Sequence, residues 1–198
     1  PETLIDVPSV CERACVFCHI STRPIAGRRP RGDDATVDAA LAALSGPVLF
    51  TGDDALSHPK LVAWIEAARR RTEDVAVIGP PRKGATAALA PALAKAGLAR
   101  YTTALLGPDA PSHDAVAGCP GAFDALCEAL LAMRASGITV ELVTPLVRPL
   151  LGTLGPLLRR GRALLGSSAP LPSLLAYAPD PVVASSFDAV VPTWDELR

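Results

Sequence analysis

The sequence predicts an α/β fold of parallel strands wound into an open (β/α)6 arc, a partial TIM-like barrel smaller than the full eight-unit one. Three observations predict it. Six short apolar runs along the 198 residues alternate with stretches of helical character. Right-handed crossovers would wind such units into an arc. The residues suited to holding a ligand fall just after the apolar runs, where parallel α/β folds gather their ligands.

The first strand spans Thr3 to Val10, with Leu4, Ile5, Val7 and Val10 as its apolar members, and runs straight into a cysteine-rich loop. From Ile20 to Ala35, Pro24, Gly27, Pro30 and Gly32 break regular structure. Arg23, Arg28, Arg29 and Arg31 make this a solvated loop, or one that offers an arginine to a carboxylate ligand. A helix is expected over Asp34 to Leu44, and a second strand over Val48 to Thr51 that ends in Gly52-Asp53-Asp54-Ala55. Pro59 suits the first turn of the next helix, which continues through Leu61, Trp64 and Ile65 to Arg71, with His58 as a helix-start residue.

A third strand over Asp74 to Ile78 closes on Gly79-Pro80-Pro81-Arg82-Lys83-Gly84, leaving Arg82 and Lys83 at a strand end, either exposed or facing a ligand carboxylate. The helix from Ala85 to Ala96 is expected to be interrupted at Pro91 and to end at Gly97. Tyr101 to Gly107 is the fourth strand, and His113-Asp114 beyond it reads as a turn or helix-cap pair. The next helix carries Phe123, Leu126, Leu130, Leu131 and Met133 and stops at Ser136-Gly137. A fifth strand over Ile138 to Val147, a helix over Leu154 to Leu165 and a sixth strand over Leu171 to Ala178 complete the pattern. Pro192-Thr193-Trp194-Asp195-Glu196 then looks like a helix start.

About half the residues are hydrophobic, enough to bury one sizeable core in a single domain over 1–198. A net charge of -1 gives no bulk electrostatic case for nucleic acid or an anionic membrane. No run of about 18 uninterrupted apolar residues offers a spanning helix, and the first residues lack a secretory layout. The single methionine is Met133, so the chain reads as a trimmed piece, with residues 179–198 as the start of a C-terminal extension. Five cysteines without framework-like pairing suit a reducing cytoplasm. The wealth of Ala, Leu, Arg and Pro has the look of a GC-rich bacterial genome.

Three of those cysteines, Cys11, Cys15 and Cys18, form C-x3-C-x2-C within one loop. Thiolates this close can converge at small loop-closure cost on a soft metal or an iron–sulfur centre. A closed zinc site needs a fourth ligand, for which His19 is the adjacent candidate. A disulfide would strand one of the three, and bystander thiols complete the alternatives. Cys119 and Cys127 lie far along the chain and read as incidental thiols.

With Phe17 directly before Cys18, the loop reproduces C-x3-C-x-aromatic-C and resembles the signature of the radical SAM enzymes. The resemblance implies a [4Fe-4S] cluster on Cys11, Cys15 and Cys18, with its fourth iron chelated by S-adenosylmethionine. It further implies reductive cleavage to a 5′-deoxyadenosyl radical and an electron donor such as flavodoxin or ferredoxin. Phe17 would pack near the adenine. Gly52-Asp53-Asp54-Ala55 stands where the family has Gly-Gly-Glu-Pro, so Gly52, Asp53 and Asp54 would hold the methionine moiety, Asp54 with a carboxylate one methylene shorter. Ala104 stands where a serine is usual, which passes that contact to Thr102 or Thr103, and Thr144 and Arg148 would reach the cofactor from the fifth strand.

The expected activity is hydrogen abstraction from an unidentified substrate, a peptide or a small metabolite. One alternative is a cluster- or metal-binding protein of the same fold without turnover, consistent with the altered Gly-Asp-Asp-Ala stretch. The other is a hydrolytic or aldolase-like barrel with bystander cysteines.

Overall fold

The computed structural model describes residues 2–18, 32–166, 169–176 and 190–197. Its six strands are β1 (Thr3–Val7), β2 (Val48–Gly52), β3 (Val75–Ile78), β4 (Arg100–Ala104), β5 (Thr139–Leu146) and β6 (Ser173–Ala176). Its helices are α1 (Asp34–Ala42), α2 (Leu61–Arg69), α3 (Ala85–Ala96), α4 (Ala110–Ala117), α5 (Ala122–Ala135), α6 (Arg148–Leu151) and α7 (Leu154–Leu165). The strands form one sheet in sequence order, β1-β2-β3-β4-β5-β6. Pairing is parallel from β1 through β4 and again between β5 and β6. This is the predicted parallel α/β architecture, consistent with a partial (β/α) barrel. No single helix among the described residues is long and apolar enough to cross a membrane.

The chain divides into two compact units. The first comprises Pro1–Cys11, Gly27–Thr103 and Ala125–Glu141. Its core is built from Ile5, Val7, Phe50, Leu61, Ile65, Val77, Leu93 and Tyr101, all buried. The strand β3, Val-Ala-Val-Ile, reads as a continuous apolar run because its first three residues are buried, as in parallel sheets covered on both faces. At the N-terminal ends of its strands Arg100 meets Glu2 at 2.8 Å and Glu141 at 3.7 Å, a surface network remote from the strand ends that carry ligand-type residues.

The second unit comprises Glu12–Ala26, Ala104–Asp124 and Leu142–Arg198. Leu105, Leu106, Ala117, Val147, Leu150 and Leu157 form its core. Thr193 and Glu196 make a reciprocal capping pair, the Thr193 N–H donating to the Glu196 carboxylate at 2.8 Å and the Glu196 N–H to Thr193 Oγ1 at 3.3 Å. This is the helix-start chemistry expected of that stretch, here closing turns over residues 194–197.

Three departures have physical causes. Pro91 does not interrupt α3, which runs unbroken from Ala85 to Ala96. Its ring lies on the exposed face while Thr86, Ala90, Leu93 and Ala96 bury the opposite one, and that burial outweighs a proline cost of about 3 kcal/mol. The stretch expected to be a turn around His113 is the helix α4, started by Asp109, whose carboxylate accepts the Ser112 N–H at 3.0 Å, with proline in the first turn. The short α6 follows β5 directly and was not anticipated. The arginine-rich loop with Arg23, Arg28, Arg29 and Arg31, the zinc candidate His19, and the last two residues expected in the sixth strand lie outside the described residues.

Candidate functional site

The ends of the first five strands carry predicted residues. Cys11 follows β1, Asp54 follows β2, Arg82 follows β3, Thr103 lies at the end of β4, and Thr144 and Arg148 lie at and after the end of β5.

The end of β2 is shaped by Gly52, which pairs with Val7 in the β1–β2 register and has φ +141°. A side chain there would bring Cβ to 2.6 Å from the Val7 carbonyl oxygen, so the position admits only glycine. The chain then turns through Asp53, which is half-buried, to Asp54, whose side chain is only 3% exposed. The Asp54 N–H donates to Ser9 Oγ at 3.0 Å, and the Ser9 hydroxyl donates to the Val7 carbonyl at 3.1 Å. The Asp54 carbonyl receives the Ser57 hydroxyl at 2.8 Å, which starts the short 3-10 turn Ala55–Ser57.

The Asp54 carboxylate is not open to solvent, because Arg82 Nε donates to its Oδ2 at 2.5 Å. Arg82 was read as exposed or as facing a ligand carboxylate; it is turned onto Asp54 instead. Its own backbone N–H is fixed by Thr86 Oγ1 at 2.8 Å. His58 is a helix-start residue as expected. Its Nδ1 accepts the Lys60 N–H at 3.2 Å, its ring stacks on Trp64 at 4.5 Å, and Nε2 lies 3.3 Å from Asp34. A hydrogen bond from Lys60 and its positive charge hold the Asp34 carboxyl below the usual carboxylate range.

On β4 the two threonines divide as side chains alternate along a strand. Thr102 Oγ1 donates to Glu141 at 3.1 Å. Thr103, 1% exposed, has a buried hydroxyl with no hydrogen-bond partner among the described residues. An orphaned buried hydroxyl at a strand's C-terminal end suits a polar cofactor atom, which favours Thr103 over Thr102 for the contact that Ala104 lacks.

Thr144 is fully buried and its hydroxyl donates to the Leu105 carbonyl at 2.9 Å. Arg148 reaches the Val191 carbonyl at 3.1 Å and Glu196 at 3.0 Å. Both are thus engaged with the protein itself.

The cysteine loop is ordered by short-range geometry at its C-terminal half. The Cys18 N–H donates to the Cys15 carbonyl at 3.0 Å, closing a turn over Val16 and the half-buried Phe17. The Val16 N–H donates to the Val116 carbonyl of α4 at 3.0 Å. Gly118, with φ +58°, ends α4 so close beneath Ala14 that a Cβ would collide with its carbonyl oxygen. A Gly118→Ala variant is therefore expected to lose about 1–2 kcal/mol to its left-handed backbone and to push the loop away. A thermal melt and the iron content after anaerobic reconstitution check this, and an unchanged melt would refute the close approach.

All five cysteines are half-buried. Three thiols within one loop are the donor chemistry an iron–sulfur cluster uses, so the residue types fit the group. Among the described residues no three of His, Cys, Asp and Glu are near enough to one another to hold a metal ion.

His113 and Asp114, expected as a turn or cap pair, have separate roles. Asp114 caps α5, accepting the Gly121 N–H at 2.6 Å and the Phe123 N–H at 2.8 Å. His113 is no turn residue: it is fully buried inside α4, edge-on to Phe123 at 5.5 Å, and its Nδ1 accepts the Leu106 N–H at 3.1 Å. Burial, and next the positive charge of Arg13, push its pKa down to about 4 against an opposing pull from Asp114. Sequence reading also missed Ser9, whose only signal was a hydroxyl two residues past the strand end.

Comparison with known proteins agrees with the fold. A solved structure of native anSMEcpe with bound AdoMet superposes with a TM-score of 0.66 at 11% identity, over 90% of this chain and 52% of that one. The crystal structure of Streptococcus suis SuiB bound to the precursor peptide SuiA gives a TM-score of 0.60 at 14% identity, over 82% of this chain and 37% of that one. At these identities the likeness establishes the fold. The AdoMet-dependent heme synthase of Nitratidesulfovibrio vulgaris (strain Hildenborough) is 28% identical over 150 residues, 72% of this chain and 40% of that protein. The chain thus spans 37–52% of the length of these proteins. The model of the Radical SAM superfamily matches residues 5–150, from β1 and the cysteine loop through α6, and on that match the chain belongs to the radical SAM superfamily.

Proposed function

We propose that this chain is the core of a radical SAM enzyme in which Cys11, Cys15 and Cys18 hold a [4Fe-4S] cluster and bind it together with S-adenosylmethionine. The observation that carries the reading is the C-x3-C-x-Phe-C loop directly after the first strand of a parallel α/β sheet, inside the span that the family model matches. When bound, the cluster supplies the electron that splits S-adenosylmethionine into methionine and a 5′-deoxyadenosyl radical for hydrogen abstraction.

The chain's own residues bind and orient. Gly52, Asp53 and Asp54 bring backbone and carboxylate to the methionine end, with the Asp54 negative charge matched to its ammonium. Thr103 offers its buried hydroxyl, and Phe17 an aromatic face to the adenine. Thr144 and Arg148 serve the fifth strand's end, Thr144 by holding the Leu105 carbonyl in place. The remaining partners are a low-potential electron donor of the flavodoxin or ferredoxin kind and a substrate from a reducing cytoplasm. The relatives named above act through AdoMet in heme synthesis or are seen with a precursor peptide, so the substrate is sought among peptides and small metabolites.

The test is anaerobic reconstitution with iron and sulfide, addition of S-adenosylmethionine and dithionite, and quantification of 5′-deoxyadenosine beside a Cys15→Ala variant. The parent is expected to form it, and the variant to lose both iron and product to the detection limit. A parent that binds no iron refutes the reading. A second reading, cluster binding without turnover, is favoured by one observation, the Asp54 carboxylate already held by Arg82. Binding of S-adenosylmethionine without cleavage would select it.

A further inference from the structure

We propose that Arg82 is a positioning residue for the methionine end of the cofactor, acting through Asp54. The inference rests on the S-adenosylmethionine reading above.

Arg82 stands in the turn between β3 and α3 and links three strand ends. Its Nε donates to Asp54 Oδ2 after β2, and a terminal nitrogen makes a long 3.5 Å contact with the Val10 carbonyl, one residue before Cys11. The same turn is tied back to β1 by the Asp54 N–H on Ser9 Oγ. The loop that offers the carboxylate and the run-in to the first cysteine therefore share one guanidinium.

Burial makes this contact consequential. The Asp54 side chain is 3% exposed and that of Arg82 37%, so the acid sits in a low-dielectric place where its charge needs a counter-charge. An arginine supplies that counter-charge, and its rigid plane, with Nε on the carboxylate and a terminal nitrogen on the Val10 carbonyl, fixes the direction of the contact. A lysine would supply the charge at one point without that plane. Asp54 is one methylene shorter than a glutamate and has less reach of its own, so its aim depends on what grips it. An arginine acting instead as a competitor would occupy the carboxylate against an incoming ammonium, and its removal would strengthen binding. The two roles predict opposite signs.

The experiment measures binding to the cluster-loaded protein by calorimetry, using S-adenosylmethionine and its analogue lacking the α-amino group. The parent is expected to prefer the amino compound by about ten-fold or more, a preference carried by the Asp54 carboxylate. Arg82→Gln should cut that preference to within about two-fold, leaving affinity for the des-amino compound unchanged, whereas general damage would weaken both alike. Arg82→Lys should recover part of the preference, Asp54→Asn should match Arg82→Gln, and the double variant should add no further loss.

A preference unchanged in Arg82→Gln, or a gain in S-adenosylmethionine affinity, overturns the proposal while the radical SAM reading stands. A parent that binds neither compound overturns both. In iron-free protein, urea unfolding of the same single and double variants must show coupling between positions 54 and 82, and strict additivity also overturns it.

Discussion

Replacing Gly52 by alanine is expected to cost about 3 kcal/mol or more of folding stability, the sum of a backbone region closed to side chains and an overpacked contact. The backbone there has φ +141°, and the new Cβ would lie 2.6 Å from the Val7 carbonyl oxygen, 3.2 Å from Ser9 Oγ and 3.3 Å from Asp6 Oδ1. Neither neighbour backbone can yield easily, because Val7 and Gly52 are register partners within the sheet and Val7 is buried. For a chain of 198 residues the penalty corresponds to a fall in Tm of roughly 6–12 °C. Any shift that relieves the contact also pulls Ser9 from the Asp54 N–H, so affinity for S-adenosylmethionine should fall with stability. A Gly52→Ala protein that melts with the parent would show that this turn is not built as described.

The second large effect is a pH dependence from His113. Its folded pKa is held at about 4 against 6.5 in the unfolded chain. Between those values the unfolded state takes up a proton that the folded state refuses, so stability is complete above pH 6.5 and is lost as pH falls to 4. The loss reaches about 3 kcal/mol at pH 4, since each pH unit below the unfolded value costs roughly 1.4 kcal/mol until the folded state also begins to take up the proton. Carboxylates titrate in part of this range as well. The informative quantity is thus the difference between the parent and His113→Gln, which keeps an acceptor for the Leu106 N–H but cannot titrate. Urea unfolding at pH 7, 5 and 4 should show a flatter profile for the variant, and identical slopes would remove His113 as the cause.

The parts of this molecule legible in its sequence are those written in local patterns. Val48-Leu49-Phe50-Thr51-Gly52 announces a buried strand and its end, and Gly97 announces the close of α3. The cysteine motif is likewise a local spacing, and Cys11 falls after β1 as its position suggests. Long-range choices were not legible. Arg82 and Asp54 are separated by many residues that give no hint of pairing, and an arginine beside a lysine and two prolines looks like any exposed turn. His113 looked like a turn residue because Gly107-Pro108 precedes it, yet the Asp109 cap and Pro111 were sufficient to start a helix that buries it. Pro91 misled for the opposite reason: a helix breaker is decisive only where the helix lacks a buried face to hold it.

A sheet whose spatial order is its chain order has a consequence for how the polypeptide assembles. No strand has to be threaded between two already in place, so β2 can zip onto β1, β3 onto β2 and β4 onto β3 in the order in which a ribosome delivers them. Loop closure at each step spans only one or two helices and their connections, which keeps the entropic toll of each addition small. The cysteine segment precedes β2 through β6 in the chain, so its thiols are exposed to cellular oxidants and stray metals while those strands are still being made.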